Sequence, residues 1–323
     1  MSKKNNMKKI LITGGCGYVG TVLSEHLLNK NYHVTSIDLM WFGNYLKKKR
    51  NLVTKKKDFS ELKNSDFKNI DTVIHLANIA NDPSGTMNPS LTWDVNVIKS
   101  QRLLEKCIKN KIKRFIYASS GSVYGINKKK KVTEDLPLVP ISEYNKSKMI
   151  FEKILFSYKT KMKIYCIRPA TVCGVSPRMR WDISVNILTL NAIKNKIITV
   201  FGGNQTRPNI HIMDLVRIYD FFLSKKNIPE GIYNAAFEIF KIKDVAKIIQ
   251  NKTKAKIKYL KSNDPRSYRQ NSDKIIRLGF KPLYKIEDAV DDVCDGEARG
   301  VVCVGGAGDE AADNDLGAER GGG

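Results

Sequence analysis

Acidic side chains are scarce in this chain: 32 Asp and Glu stand against 56 Lys and Arg among 323 residues, a net charge of +24 at neutral pH. Long apolar runs are missing as well. None reaches the about 18 residues that a membrane-spanning helix needs. The basic start Met1–Lys9 is followed by Ile10-Leu11-Ile12-Thr13-Gly14-Gly15, too short and too glycine-rich for a secretory signal. A soluble, cytoplasmic protein with no membrane partner is expected. The six cysteines (16, 107, 166, 173, 294 and 303) form no Cys-x-x-Cys pair and no metal-ligand spacing with the four histidines. Reduced thiols and no metal are expected.

The positive charge invites a nucleic-acid reading. Lys, Asn and Ile are, however, enriched throughout residues 1–294, and the runs Lys47–Arg50, Lys55–Lys57 and Lys128–Lys131 carry no interleaved aromatics. They read as solvated loop segments. No nucleic-acid partner is expected, that reading staying as the lesser alternative. Composition breaks near residue 295. From Asp295 to Gly323 there is no Lys and no Ile, nine of 29 residues are Gly, five are Ala, and the net charge is −5, leaving +29 on residues 1–294. Such a segment is expected to be disordered and foreign to the fold.

Ahead of that break, strand-like runs alternate with helical stretches. Lys9–Thr13, His33–Ile37, Thr72–Ala77, Arg114–Ser119 and Lys163–Ile167 read as strands. Tyr18–Lys30, residues 88–110 and Ser142–Thr160 read as helices. Right-handed βαβ crossovers follow, giving a Rossmann-type doubly wound parallel α/β sheet covered on both faces. After Pro169 the elements are shorter and mixed, as suits a smaller substrate lobe. The expected division is a cofactor-binding unit over residues 1–175, rejoined by part of 208–238, and a lobe over 176–207 and 239–294. A final helix starts at Ile286–Cys294, where the tail cuts it short.

Gly14-Gly15-Cys16-Gly17-Tyr18-Val19-Gly20 follows a strand and opens a helix. In that context glycines let backbone N–H groups approach a pyrophosphate at a helix N-terminus. An ordinary glycine turn is the alternative. Asp38 closes the second strand, where a carboxylate accepts hydrogen bonds from a ribose 2′-OH and repels a 2′-phosphate, favouring NAD over NADP. Tyr144 and Lys148 lie four apart, on one face of a helix. Ser119-Ser120 closes the preceding strand. Together these residues describe a redox site built around a nicotinamide.

With these motifs in hand, the chain resembles the extended short-chain dehydrogenase/reductases, more narrowly the NAD-dependent nucleotide-sugar epimerases and dehydratases, over about residues 8–294. The resemblance implies cofactor contacts from Gly14, Gly17, Tyr18, Val19, Gly20 and Asp38. Further contacts come from Asp58-Phe59 beside the adenine, Leu76-Ala77, Ser119, Tyr144, Lys148 and Pro169. It implies a catalytic set of Ser120, Tyr144 and Lys148, with Asn96 helping to position the site. His75 reads as a packed strand residue, and Ser122 as a group satisfying nearby backbone. Arg168–Gly174 resembles the segment joining cofactor to substrate, with Cys173 where tyrosine is usual. On the substrate side it implies Ser120, Thr171, Asn186, Arg207 and Arg266, the last three holding a nucleotide diphosphate. Arg178 joins them as a candidate, although for Arg178 and Arg180 a surface role fits equally. A homodimer packed through the helices near 88–110 and 142–160 is implied too.

In the expected mechanism, Tyr144 takes a proton from a sugar hydroxyl, and the Lys148 ammonium and the oxidised nicotinamide lower its pKa. Family members that eliminate water carry an Asp-Glu pair after the serine. Gly121-Ser122 stands here and can transfer no proton. The resemblance then implies inversion at C4 of a nucleotide-diphosphate sugar through a 4-keto intermediate. A 4-ketoreductase or dehydrogenase using the same triad is the close rival, and a non-catalytic NAD-binding scaffold the more distant one.

Overall fold

The computed structural model describes residues 8–127, 129–262 and 267–298. The chain opens as strand β1 (Lys9–Thr13), helix α1 (Tyr18–Asn29) and strand β2 (His33–Asp38), followed by β3 (Leu52–Lys56) and β4 (Thr72–His75). The short helices α2 (Asp82–Met87) and α3 (Pro89–Trp93) lead through a π-helical turn, Asp94–Lys99, into α4 (Ser100–Lys109). Then come β5 (Arg114–Ala118), α5 (Glu143–Ser157) and β6 (Lys163–Pro169). The single helix expected over 88–110 is thus three pieces joined end to end. Asn88 accepts from the Leu91 N–H and caps the first of them.

The remaining elements are β7 (Thr171–Cys173), α6 (Ser184–Asn195), β8 (Ile197–Phe201), β9 (Thr206–His211), α7 (Ile212–Ser224), β10 (Gly231–Ala235), β11 (Glu238–Lys241), α8 (Ile242–Thr253), β12 (Lys256–Leu260), α9 (Asp273–Arg277) and α10 (Ile286–Ala298). The last helix continues beyond the compositional break at 295. Glu297 reaches Lys194 of α6 at 3.6 Å. Residues 299–323, most of the tail, lie outside the described residues, as do Arg266 and Lys128.

Seven strands form one parallel sheet in the order β10-β6-β5-β4-β1-β2-β3. Its central strands are apolar on both faces because helices cover both. One face packs Ile10, Ile12, Leu23 and Leu27 against Leu215, Ile218 and Phe222 of α7. The other packs Leu11 and Val73 against Leu103 of α4 and Phe151 of α5. A three-stranded sheet, β11-β9-β7, and the parallel pair β12-β8 make up the smaller part. Its core joins Val185 and Leu188 to Ile198, Val245 and Val290. β3 corrects the sequence reading: Lys55 and Lys56 belong to the edge strand of the main sheet, not to a loop. Lys55 and Lys57 are anchored on Asp66, at 2.7 and 3.3 Å. Lysines on an edge strand discourage pairing with another chain.

Behind β5 and β6 lies a buried ion pair. Arg168 donates to Glu152 through Nε at 3.0 Å and Nη2 at 2.6 Å. Arg168 Nη1 also donates to Tyr124 Oη at 2.7 Å, and Ser119 Oγ donates to Glu152. Two charges out of water hold only while each is paired. Glu152→Ala should therefore cost about 3–5 kcal/mol in denaturant unfolding, and the double replacement Glu152→Leu with Arg168→Met should recover much of it.

Candidate active site

The parallel register aligns strand ends. Thr13 pairs with Ile37 of β2 and with His75 of β4, so the residues that follow, Gly14, Asp38 and Leu76, emerge along one edge. There the strand order reverses between β1 and β4, the crevice where such sheets bind ligands. A cavity of about 1020 Å³ opens at this edge. Gly14 has φ +74°, and a Cβ there would meet the Ala77 backbone N at 2.6 Å; one on Gly20 would meet the Gly14 carbonyl oxygen at 2.1 Å. Only glycines allow the loop to close against the strand and helix in this way. Asp38 accepts from the Cys16 N–H at 3.0 Å and the Met40 N–H at 2.7 Å. Its carboxylate is thereby fixed where the cavity passes β2. Gly17, Tyr18, Val19, Asp58, Phe59, Leu76, Ala77, Ser119, Pro169 and Thr171 line the same cavity. Asp58 is held by Lys99 at 2.9 Å.

Ser120, Tyr144 and Lys148 meet on the cavity wall. Ser142 caps α5 by accepting from the Asn145 N–H at 3.2 Å, which starts the helix just before Tyr144. Lys148 Nζ donates to the Ala118 carbonyl at 2.7 Å and lies 5.6 Å from the Tyr144 ring centroid. Ser120 Oγ is 2.7 Å from Ser122 Oγ, which in turn donates to Asn145. Ser122 is therefore a bridge that fixes the serine. His75 is fully buried, with Nδ1 2.6 Å from Thr13 Oγ1 and Nε2 2.8 Å from Ser100 Oγ. Burial, then the Lys148 charge, pull its pKa down to about 3, so it is a neutral packed residue.

Asn96 is placed behind the site and not in it. Its Nδ2 donates to Ser147 Oγ and to the Ile79 carbonyl, both at 3.1 Å, and its Oδ1 accepts from the Ile79 N–H at 2.8 Å. It positions the loop after β4 against α5 and does not line the cavity. The π-helical turn that carries it is a frequent device near functional sites.

Without the nicotinamide, burial dominates the electrostatics of the pair. Burial pushes the Tyr144 phenol up to about 12. The Arg180 guanidinium is the first opposing influence, a hydrogen bond with Ser120 the second, while Asp82 adds to the rise. Burial pulls the Lys148 ammonium down to about 7. Both groups are thus shifted towards their neutral forms in the ligand-free chain.

The substrate-side residues divide. Arg207, on β9, and Thr171 line the cavity. Arg178 does too, but its guanidinium stacks on Phe42 at 3.9 Å from the ring centroid, beside the loop that follows Asp38. That stacking joins Arg178 to the loop that follows Asp38. Asn186 is fully buried and its amide is spent within the chain: Oδ1 accepts from the Gly174 N–H at 3.1 Å, and Nδ2 donates to Tyr18 Oη at 3.2 Å and to the Arg180 carbonyl at 3.1 Å. It shapes the Gly174–Ile183 loop and does not line the cavity. Asn81, Arg180 and Asp182 line the cavity. For Arg180 the sequence leaves a surface role fitting equally, whereas Asn81 and Asp182 are not among the residues it singles out. For Asp182 the sequence signal is the charged cluster after Gly174, and for Asn81 there is none.

A model of the NAD dependent epimerase/dehydratase family matches residues 10–236. The chain belongs to this family. An uncharacterized UDP-glucose epimerase, YtcB, of Bacillus subtilis is 34% identical over 237 residues, covering 68% of this chain and 74% of the relative. A putative UDP-glucose 4-epimerase of Methanocaldococcus jannaschii is 31% identical over 250 residues, covering 72% and 80%. Among solved structures, UDP-glucuronic acid 4-epimerase from Bacillus cereus, in complex with UDP-glucuronic acid and NAD, superposes with a TM-score of 0.82 at 28% identity, over 90% of this chain and 99% of that one. The family frame covers the glycine loop, the triad and β10.

Lys148 has a measurable consequence. Its proton leaves at about 7 in the folded chain and at its ordinary 10.5 when unfolded. Between those values the unfolded chain binds more protons, so stability falls as pH drops from 10.5 towards 7 and levels off below. Lys148→Met should remove this slope: in urea unfolding of the ligand-free proteins, the variant's advantage should be largest near pH 7 and shrink towards about pH 10.

Proposed function

We propose that the chain is an NAD-dependent nucleotide-sugar epimerase that inverts C4 of a nucleotide-diphosphate sugar. The observation that carries this reading is the triad at the cavity with Gly121-Ser122, and no carboxylate, directly after Ser120. Gly121 and Ser122 stand beside Ser120, and a Cβ at Gly121 would meet Gln270 Oε1 at 2.2 Å. Gln270 is itself held by the Arg168 carbonyl at 2.6 Å. A side chain at 121, where a dehydratase carries an acid, would have to displace the Gln270 amide.

The glycine cradle and Asp38 suit NAD, with the pyrophosphate against the N-terminus of α1 and a ribose hydroxyl on the carboxylate. Bound NAD supplies hydride acceptance and return at C4. Tyr144 receives the C4 hydroxyl proton and gives it back after the sugar turns, and Ser120 holds the same oxygen. Lys148 orients the nicotinamide end, and Arg207 holds the diphosphate. The location proposed is the cytoplasm; among the described residues no helix is long and apolar enough to cross a membrane. A homodimer is proposed through the faces of the π-helical turn and α5, where Ile98 and Phe156 are 45% and 40% exposed.

The test is turnover of a panel of UDP-, GDP-, CDP- and dTDP-sugars by NAD-loaded protein. Interconversion of a C4 pair without net NADH is expected, and stoichiometric NADH formation or consumption would transfer the assignment to the dehydrogenase or ketoreductase rival. Tyr144→Phe should lower the rate by roughly 10²–10⁴-fold.

A further inference from the structure

The loop from Gly174 to Ile183 carries a charged pair for which the triad chemistry has no use. Arg180 grips Asp182 through Nε at 3.0 Å and Nη2 at 2.5 Å. Asp182 Oδ2 also accepts from Asn81 Nδ2 at 2.8 Å, and Asn81 sits on the loop after β4 with φ +82°. The pair therefore ties the substrate-side loop to the cofactor-side loop across the cavity that all three residues share with Tyr144. From behind, Asn186 holds the Arg180 carbonyl at 3.1 Å, so the backbone carrying the guanidinium is fixed as well.

Several elements bring polar or charged groups to the part of the cavity that Tyr144 lines, and α2, which Asn81 caps, packs directly on the tyrosine: a Cβ on Gly85 would meet the Tyr144 Cβ at 3.0 Å. α5 itself brings Lys148, whose Nζ is committed to the Ala118 carbonyl. α2 brings Asp82, a negative charge that opposes a phenolate. The strand-end segment of β5 brings Ser120 and the buried Tyr117, which lies under Lys148 Nζ at 4.9 Å from its ring centroid. The Gly174–Ile183 loop brings Arg180 with Asp182. The two cations are not equivalent. A buried lysine sheds its proton readily, whereas a guanidinium stays charged across the working pH range. A phenolate formed in a dry cleft needs a charge that persists when its own proton moves.

We propose that Arg180, clamped by Asp182 and Asn81, is the standing cation that stabilises the Tyr144 phenolate during proton transfer, an electrostatic partner of the tyrosine brought from the substrate lobe. The inference rests on Tyr144 being the proton acceptor. The step is balanced within the site: the substrate O–H bond breaks, the proton joins the Tyr144 oxygen, and the Arg180 charge is unchanged throughout. Asp182 tempers that charge and holds it in place.

Two variants of opposite expected sign test this. Arg180→Met removes the charge and keeps an unbranched stem; Asp182→Asn removes the tempering carboxylate and keeps an acceptor for Asn81. The first readout is tyrosinate absorbance of the NAD-loaded protein from about pH 7 to about pH 12, taken against Tyr144→Phe. Arg180→Met should move the Tyr144 transition up by roughly one pH unit and Asp182→Asn should move it down. Arg180→Lys should lie between wild type and Arg180→Met. The second readout is the acid limb of the kcat profile, which should follow the same shifts, with roughly tenfold slower turnover near pH 7 for Arg180→Met. A Tyr144 transition unmoved in both variants, or moved the same way in both, overturns the proposal. If no sugar is turned over yet the transitions move in opposite directions, the epimerase reading falls and this assignment stands.

Discussion

In-register parallel pairing across β2, β1, β4, β5 and β6 is the constraint on which the site depends. Each strand ends within a residue or two of its neighbour: Thr13 is opposite both Ile37 and His75, His75 opposite Tyr117, and Ala118 opposite Ile167. A shift of one residue in any pair would exchange the side chains that its two covered faces present to the helices. It would also carry Asp38, Leu76 or Ser120 out of the common edge. The buried Arg168–Glu152 pair reinforces this at the β5–β6 end, because Ser119, one residue before Ser120, is bonded to Glu152. Strand register, core packing and cleft chemistry are thus one arrangement.

Dryness acts in two directions at that edge. The same burial that strengthens charge–dipole contacts raises the cost of the ionic forms. Tyr144 and Lys148 both move towards their neutral forms for that reason. A tyrosine and a lysine four residues apart therefore do not make an activated pair by themselves. What surrounds them decides the outcome: Asp82 adds to the difficulty of ionising the phenol and Arg180 relieves it.

How much of this was legible in the sequence depended on whether function is carried by backbone pattern or by side-chain reach. The glycine loop, Asp38 and the Tyr144–Lys148 spacing are local, and they stand where strand and helix periodicity places them. The lysines of β3 masked a strand because its burial is partial, on an edge. Asn186 stands in a polar-looking stretch, but only the fold shows that Tyr18, Gly174 and Arg180 consume its amide. Arg178 and Arg180 are two residues apart and indistinguishable by type. One stacks on Phe42 and the other faces Tyr144's cavity, because the loop that carries them is pinned by contacts as distant in sequence as Tyr18 and Asn81.

An epimerase and a ketoreductase can share every catalytic group and differ in whether the cofactor leaves between turnovers. In this chain the Gly174–Ile183 loop is bonded to Tyr18 at its start, and two further contacts join its other end to the cofactor side: Arg178 on Phe42 at 3.9 Å and Asp182 with Asn81 at 2.8 Å. Both lie over the crevice that begins at Gly14 and Asp38. Opening that crevice means unstacking a guanidinium from an aromatic face and parting the Asp182 carboxylate from the Asn81 amide. A cation–π contact of this kind contributes about 0.5–1 kcal/mol at an exposed site. A hydrogen bond to a charged group contributes about 1.5–3 kcal/mol. Together they oppose separation of the two sides of the crevice. A redox-neutral cycle, in which hydride leaves C4 and returns to it, is compatible with a crevice tied in this way.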